Sequence, residues 1–471
     1  MKNSYKIIFI LFIVIPFQTL MLQQKNKITD NWMGVLKIST VELRIVFKIS
    51  ENEDGSLKAL LDSPDQGAFG ISVDSVIYND PNVKFDVPLV AGFFEGKFEQ
   101  DSIVGTWNQG GSSLPLTLNR SGEIEPPKRP QEPEAPLPYI EEDVTYENKE
   151  AGLTLAGTFT YPENTDNLPV VILISGSGPQ NRDEELLGHK PFLVLADHLT
   201  RNGIAVLRFD DRGIGKSTGD FTSATTEDFV SDAIAGIEYL KTRREVDQDK
   251  IGLIGHSEGG LIAPLAAVHH DDVDFIVMMA GPGMSGKEIL RLQTALIMRT
   301  QGVDEESITK EVESAMKLYD IVINEKDSLA AREKIRKVFD VRYAGMTEEE
   351  KAQTGNPDNY YNQQLNILLS PWFRFFLEYD PYETLTKVDI PVLAINGEKD
   401  LQVPPKENLS LIKKALKEGG NKNYKVVELK GLNHLFQEAE TGSPNEYAKI
   451  EQTISPEALN IITDWIKKTA N

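Results

Sequence analysis

A serine stands between two glycines in the segment IGLIGHSEGG, residues 251–260, in the pattern Gly-x-Ser-x-Gly. An apolar, strand-like run precedes Ser257 and a run rich in small, helix-compatible residues follows it, so the serine is predicted at a tight strand-to-helix corner. Gly255 and Gly259 suit this corner because a side chain at either position would collide with the neighbouring strand or helix. The corner would expose the hydroxyl above the helix N-terminus, as a nucleophile requires. The alternative is an N-capping serine in a glycine-rich turn.

A serine hydroxyl is a weak nucleophile, so it needs a base, which an acid must orient. Three histidines follow Ser257 in the chain. His269 and His270 fall at the far end of the helix that Ser257 begins, about 18 Å away at 1.5 Å per residue, and cannot reach back. His434 comes directly after the apolar run 424–429, YKVVEL, and is the predicted base. The alternative for His434 is a surface histidine without a chemical role.

The predicted acid is Asp400, in a turn that follows the apolar run PVLAIN. Glu398 and Glu428 are the rival candidates. Asp400 is favoured because its turn leaves the carboxyl end of a strand, where catalytic loops of such sheets lie. Serine, acid and histidine would then all lie on loops at strand ends, an arrangement that chance seldom produces.

The attack of a serine on a carbonyl also needs two donors for the negative charge that develops on the carbonyl oxygen. The backbone N–H of Glu258, directly after the nucleophile, is the first predicted donor. The second is expected in the glycine-rich loop SGSGPQNRDE, whose backbone can approach a substrate closely. Ser177 N–H is the predicted donor in this loop, with Gly176 beside it.

These residues need a sheet to position them, and the second part of the chain predicts one. Short apolar runs alternate there with amphipathic helical segments such as 225–243 and 405–418, which indicates a mostly parallel sheet covered on both faces. A helix-like stretch without strands, residues 283–385, is predicted to form a helical lid over the sheet. The predicted strands are 170–175, 204–209, 251–256, 275–280, 391–396 and 424–429.

The first part of the chain carries a different pattern. Residues 30–120 contain short alternating strands separated by turns, which predicts a small antiparallel barrel or sandwich. Its Trp32 and Trp107 are interpreted as core residues, with a carbohydrate platform as the alternative. All six histidines lie at or after His189, so we expect this domain to be accessory to the chemistry. Six prolines within 121–138 predict a semi-rigid linker to the domain formed by residues 139–471.

The N-terminus resembles a secretory signal. Lys2 and Lys6 precede an apolar stretch from Ile7 to Phe17, which is shorter than the roughly 20 residues that a membrane span needs. We therefore predict a signal peptide over residues 1–22 and a periplasmic or secreted protein without a stable membrane span after processing. The alternative is an uncleaved anchor that extends through Leu22.

Composition narrows the functional classes further. A net charge of −23 repels phosphate backbones, which excludes nucleic acid as a partner. The absence of cysteine excludes thiol nucleophiles, zinc ribbons and disulfides. This charge is compatible with a small-molecule or short-peptide partner, and homo-oligomerisation is left open.

From about residue 140 to the end, the chain resembles the α/β-hydrolases of the serine esterase and serine aminopeptidase-like group. The matching segments are GSGPQNRDE, FDDRGIGKSTG, GHSEGG, NGEKDLQVPP and GLNHLF. The resemblance implies an α/β fold with a doubly wound, mostly parallel sheet, in which the segment beginning FDDRG shapes the rim of the site. The oxyanion loop of that family usually begins His-Gly, whereas this chain has Ser175-Gly176. Residues 1–138 are expected to lie outside the resemblance.

The sequence therefore predicts a carboxylic-ester hydrolase that uses Ser257, His434 and Asp400 through an acyl-enzyme, without a metal or a cofactor. A peptidase with the same triad is the alternative, and it would need an acidic cluster in the lid to bind a substrate's free ammonium. A non-catalytic binding protein on the same fold is the third interpretation.

Overall fold

The computed structural model describes residues 27–470 except for 39–40, 53, 110–111, 125–127, 348–350 and 352–355. The predicted signal peptide and the alternative anchor both lie outside the described residues. No helix within the described part of the chain combines the length and the apolar character that crossing a membrane requires.

The first sheet is antiparallel and curls into a near-barrel. Its strand order is β4-β3-β2-β1-β9-β8-β7-β6-β5. Asp74 alone joins the edge strands β4 and β5, which brings the two edges of the sheet together. Trp32 and Trp107 are buried in its core, which excludes their use as an exposed carbohydrate platform. The strands are β1 (Asn31–Ile38), β2 (Val41–Glu51), β3 (Leu57–Ser63), β4 (Ala68–Val73), β5 (Ser75–Asn79), β6 (Asn82–Val87), β7 (Gly92–Glu99), β8 (Ser102–Gln109) and β9 (Ser112–Ser121).

The second sheet is mixed, with the order β10-β11-β13-β12-β14-β15-β16-β17. Strands β10 and β11 form an antiparallel hairpin on one edge, and β12 to β17 pair in parallel. The predicted doubly wound α/β sheet is therefore confirmed. The strands are β10 (Ile140–Asn148), β11 (Leu153–Tyr161), β12 (Leu168–Ile174), β13 (Ala205–Phe209), β14 (Val246–His256), β15 (Phe275–Met279), β16 (Val392–Gly397) and β17 (Tyr424–Leu429).

Helices cover both faces of this sheet because alternate residues of each central strand are apolar on both sides. Val170 and Ile172 of β12 belong to one apolar cluster with side chains of α2, α3 and α10, whereas Val171 and Leu173 belong to a second cluster with side chains of α1 and α11. The five helices are α1 (Pro191–Arg201), α2 (Thr226–Leu240), α3 (Gly259–His269), α10 (Pro405–Glu418) and α11 (Pro456–Thr469).

The stretch between β15 and β16 is helical throughout its described residues and holds no strand there. Its helices pack around a small apolar core of their own that includes Val322, Ile335 and Phe373. We call this segment the lid. Its helices are α4 (Gly286–Thr300), α5 (Glu305–Asn324), α6 (Ser328–Gly345), α7 (Pro357–Leu368), α8 (Pro371–Glu378) and α9 (Pro381–Leu385).

Residues 128–138 of the Pro-rich segment are hydrogen-bonded to the domain of the second sheet through Arg129. The Arg129 guanidinium donates to the carbonyls of Leu187, Gly188, Ala448 and Ile450, at 3.3, 2.9, 3.0 and 2.8 Å. A turn of the first sheet lies against the same place, since a Cβ on Gly67 would come within 2.0 Å of Leu187. The first domain therefore touches a loop that, as described below, lines the candidate site.

Candidate active site

Ser257 lies at the corner between β14 and α3 with a φ of +52°, in the left-handed region that non-glycine residues rarely adopt. The corner is possible only because two glycines flank it. A Cβ on Gly255 would lie 1.9 Å from the carbonyl oxygen of Gly259. A Cβ on Gly259 would lie 2.1 Å from the carbonyl oxygen of Ile174 in β12. The tight corner predicted from the glycine spacing is thus present.

The structure brings the three predicted triad residues together. His434 Nε2 is 3.2 Å from Ser257 Oγ, and His434 Nδ1 is 2.7 Å from Asp400 Oδ2. The other Asp400 oxygen accepts the backbone N–H groups of Gln402 and Val403 at 2.8 Å each, which fixes the carboxylate. An ionised carboxylate can only accept, so Nδ1 carries the proton and Nε2 is free to accept from the serine.

The rival residues lie elsewhere. Glu398 is exposed and accepts the backbone N–H of Gly431. Glu428 is exposed on β17. His269 ends α3, and His270 follows it beside Glu238, at the end of the helix opposite Ser257.

Of the three residues predicted for the oxyanion hole, Glu258, Ser177 and Gly176, two have a free backbone N–H. Within the described residues, the backbone N–H groups of Glu258 and Ser177 donate to no protein acceptor. Gly176 differs, because its N–H donates to Glu184 Oε1 at 2.8 Å. The prediction that Gly176 offers an oxyanion donor is therefore wrong. Its lack of a side chain still matters, since a Cβ there would lie 3.2 Å from the Ser257 Cβ.

Glu184 and His256 form a buried ion pair next to these groups, and the sequence did not predict it. His256, directly before Ser257, contacts Glu184 Oε1 through Nδ1 at 2.8 Å and the His434 carbonyl oxygen through Nε2 at 3.0 Å. Burial lowers the pKa of His256, but the Glu184 carboxylate, the His434 carbonyl and Asp400 outweigh it and raise the pKa overall. The only sequence signal was the acidic pair at the end of the segment GSGPQNRDE.

The side chain of Glu258 connects the corner to the lid. Its Oε1 accepts from the Thr226 hydroxyl at the start of α2 and from the Trp372 indole N–H of α8, both at 2.7 Å. Burial raises the pKa of this carboxyl, against hydrogen bonds from Trp372, Thr226 and Ser177 that favour its charged form. One residue thus carries a free backbone donor at the site and a polar tether to the lid.

Two aspartates of the segment beginning FDDRG hold the oxyanion loop from the other side. Asp211 accepts from the Ser175 hydroxyl and from the Gln180 backbone N–H, both at 2.9 Å. Asp210 accepts from the backbone N–H of Arg182 at 2.9 Å. Burial raises the pKa of Asp211 to about 7. The loop from Ser175 to Arg182 is therefore fixed by buried carboxylates.

A cavity of about 250 Å³ opens onto the serine beneath the lid. Helices α4 and α8 supply much of its wall, and Leu186 belongs to the loop that the first domain touches. Its wall is mostly apolar, with three glutamines among the lining residues. The apolar residues include Leu186, Ile289, Leu290, Trp372, Phe373, Phe376 and Leu435, and the glutamines are Gln180, Gln293 and Gln402.

Among the described residues, one group of acidic and histidine side chains lies close enough to share a metal ion, namely Glu238, His270 and Asp272. The Lys241 ammonium already contacts both carboxylates. The group lies beyond the end of α3, remote from Ser257, so it belongs to the surface and not to the site.

Comparison with known proteins finds several chains that are similar to this one. Residues 190–327 match the family model described as serine aminopeptidase, S33. Esterase EstD of Thermotoga maritima is 25% identical over 392 residues, which cover 81% of this chain and 84% of the relative. An uncharacterised 31.7 kDa protein of Escherichia coli is 23% identical over 67% of this chain and 96% of its own length. A solved structure of the Pyrococcus furiosus esterase Pf2001 superposes with a TM-score of 0.44 at 17% identity, covering 74% of this chain and 98% of that one. The expected resemblance to α/β-hydrolases is confirmed.

The match to EstD covers more of the chain than residues 139–471 contain. It therefore crosses the Pro-rich linker and reaches the first sheet. The similarity to EstD thus extends into residues 1–138, beyond the part of the chain that resembles the α/β-hydrolases.

Proposed function

We propose that this chain, an α/β-hydrolase in its fold, is a serine hydrolase that cleaves carboxylic esters through Ser257, His434 and Asp400. The observation that carries the proposal is the unbroken hydrogen-bonded series from Ser257 Oγ through the His434 ring to Asp400. Ser257, where this series begins, has a strained backbone conformation and lies at the cavity beneath the lid. Strain of this kind persists only where the surrounding structure imposes it, and it concentrates at functional sites.

His434 Nε2 takes the proton of Ser257 as Oγ attacks the acyl carbon, and Asp400 stabilises the imidazolium that forms. The N–H groups of Glu258 and Ser177 receive the negative charge on the carbonyl oxygen. His434 then gives its proton to the leaving alcohol, and an acyl-enzyme remains on Ser257. A water molecule, deprotonated in turn by His434, releases the carboxylic acid and restores the serine.

An ester is favoured over a peptide by what the cavity offers. A peptidase that binds a free α-ammonium needs a carboxylate open to it. The acidic residues that line the described cavity are Glu184 and Glu258, and protein donors already occupy Oε1 of each. Oε2 of Glu184 has no partner among the described residues, but it is buried and therefore not open to an ammonium. The lid contributes no acidic residue to this lining. The name of the relative EstD, an esterase, is consistent with the same choice.

The test compares p-nitrophenyl acyl esters with aminoacyl-anilides on one purified sample. We expect turnover of the esters, labelling of the protein by a fluorophosphonate probe, and loss of both in Ser257→Ala. The matched control is Ser410→Ala on the exposed face of α10, which should behave as the wild type. Faster turnover of the anilides would favour a peptidase, and an unlabelled, inactive wild type would favour a binding protein.

We also propose that the chain is exported, on the basis of its charged and apolar N-terminus. Cell fractionation together with N-terminal sequencing of the mature protein tests this proposal. Full-length protein in the membrane fraction would favour the anchor instead.

A further inference from the structure

Glu184 and His256 form a buried pair that is hydrogen-bonded to the loop of Ser177 and to the backbone of His434. We propose that they are positioning residues, which hold the oxyanion loop and the general base in register with Ser257. The proposal rests on the proposed function. It goes beyond the triad because neither residue contacts the Oγ that attacks.

The pair connects three separate segments through three hydrogen bonds. Glu184 Oε1 accepts the Gly176 N–H at 2.8 Å and so fixes the peptide that precedes the donor Ser177. The same oxygen is 2.8 Å from His256 Nδ1. His256 Nε2 is 3.0 Å from the carbonyl oxygen of His434, and the two imidazole rings lie 4.9 Å apart. Each bond ends at, or next to, a group that the reaction uses.

The chemistry of these partners fixes the charge of the pair. A carbonyl oxygen can only accept, so His256 Nε2 must carry a proton. Glu184 Oε1 already accepts from Gly176 and, as a carboxylate, can only accept again, so Nδ1 also carries one. His256 is therefore an imidazolium paired with a carboxylate. Both bonds of the ring are kept only while a proton lies between Glu184 Oε1 and His256 Nδ1, and loss of that proton at higher pH breaks the pair.

Burying this charged pair costs free energy of folding, which indicates that the pair serves a purpose other than stabilising the fold. Glu184 and His256 are 4% and 6% exposed, and burying a charged pair often stabilises a fold no more than apolar residues would. Glu184 has a φ of +50°, and its Oε2 is buried without a hydrogen-bond partner among the described residues. Backbone strain and an unsatisfied buried oxygen at one side chain are typical of positions selected for function.

The pair also predicts a pH dependence. The titratable groups that face His256 are Glu184, Asp400 and His434, and the first two hold its pKa above the ordinary value against the effect of burial. The charged form exists below that pKa and is lost as pH rises through it. The kcat of the wild type should therefore fall on the alkaline side. There the hydrogen bonds of His256 that hold the His434 carbonyl and, through Glu184, the Gly176 loop are lost. Without Glu184, only Asp400 and the His434 carbonyl oppose the effect of burial on the pKa of His256, so this limb moves to lower pH.

The experiment uses the full chain and p-nitrophenyl acyl esters. Glu184→Gln keeps the size and the acceptor for Gly176 but removes the counter-charge of His256. His256→Gln keeps one donor in place of two. The matched control is Glu185→Gln, the exposed neighbour that contacts Asn181. Thermal melts and circular dichroism establish that each variant is folded.

We expect Glu184→Gln and His256→Gln each to lower kcat about 10- to 100-fold, the scale of a misplacement by about 1 Å, with KM changed less than about threefold. The kcat of the double variant should be no lower than that of the poorer single variant, because either substitution alone already breaks the Glu184–His256 pair. Glu184→Gln should also shift the alkaline limb of kcat to lower pH, which a structural residue would leave in place.

Activity of Glu184→Gln equal to that of Glu185→Gln, or an unmoved alkaline limb, would overturn the proposal while leaving the esterase assignment intact. Multiplicative losses in the double variant would overturn it too, since independent sites add. If both single variants fail to fold, the pair is purely structural and the positioning role is rejected. An inactive wild type would instead refute the proposed function.

Discussion

Replacing Ser257 by glycine should make the protein inactive and yet more stable than replacing it by alanine. Both substitutions remove Oγ and its contact with His434, so the two variants differ only in how they tolerate the φ of +52°. An L-residue in the left-handed region costs about 1–2 kcal/mol, and glycine avoids this cost. Glycine loses about 0.4–1 kcal/mol of the gain through its more disordered unfolded chain. The expected net advantage is about 0.5–1 kcal/mol.

Scanning calorimetry of Ser257→Gly and Ser257→Ala measures this difference, which for a domain of this size corresponds to a Tm higher by about 1 °C. The matched pair is Ser410→Gly and Ser410→Ala in α10, where the backbone is helical and the side chain is exposed. There the order should reverse, because glycine costs a helix about 1 kcal/mol relative to alanine. A Ser257→Ala variant at least as stable as Ser257→Gly would refute the claim that the corner is strained.

Asp400→Asn should lower kcat by several orders of magnitude in steady-state ester assays by favouring the wrong imidazole tautomer, whereas Glu398→Gln should stay near the wild type; the reverse order would contradict the assigned acid. Asp211→Asn should gain stability relative to the wild type as pH rises from about 4 through about 7, because the raised pKa makes ionised Asp211 costly in the fold. Melts at pH 5 and pH 8 check this, and an equal difference at both would disprove it. Arg129→Ala should raise KM more than it lowers kcat, because it releases the loop that carries Leu186 into the cavity wall. Initial-rate kinetics at varied ester concentration decide this, and an unchanged KM would count against it.

The apolar runs made the second sheet predictable. Each predicted strand from 170–175 to 424–429 lies within or beside an observed strand, because a strand buried on both faces must be apolar at nearly every position. The helix predicted over 405–418 has the same bounds in the structure, since Pro405 can begin a helix but not continue one. Strand β14 starts earlier than predicted, at Val246, because its first residues are polar and lack the apolar signal.

The triad was predictable from order along the chain, but its supports were not. Glu184 and His256 are 72 residues apart, and nothing in either segment indicates the other. The mistaken role of Gly176 has the same origin, because its N–H is taken by a side chain eight residues further along. Which backbone groups remain free depends on how a loop folds back on itself, and residue types alone do not encode that.

The double role of Glu258 limits how this enzyme could be redesigned. Its backbone N–H faces the site, and its carboxylate holds Trp372 of α8 through a single hydrogen bond of 2.7 Å. Grafting a foreign lid to change acyl preference would therefore remove one of the two donors to this buried Oε1, next to Ser257, and leave only the Thr226 hydroxyl. Such a chimaera would have to transfer Trp372 along with the new helices, or replace Glu258 in the same step. The lid and the corner should therefore be exchanged together, as one unit joined by the Glu258–Trp372 hydrogen bond.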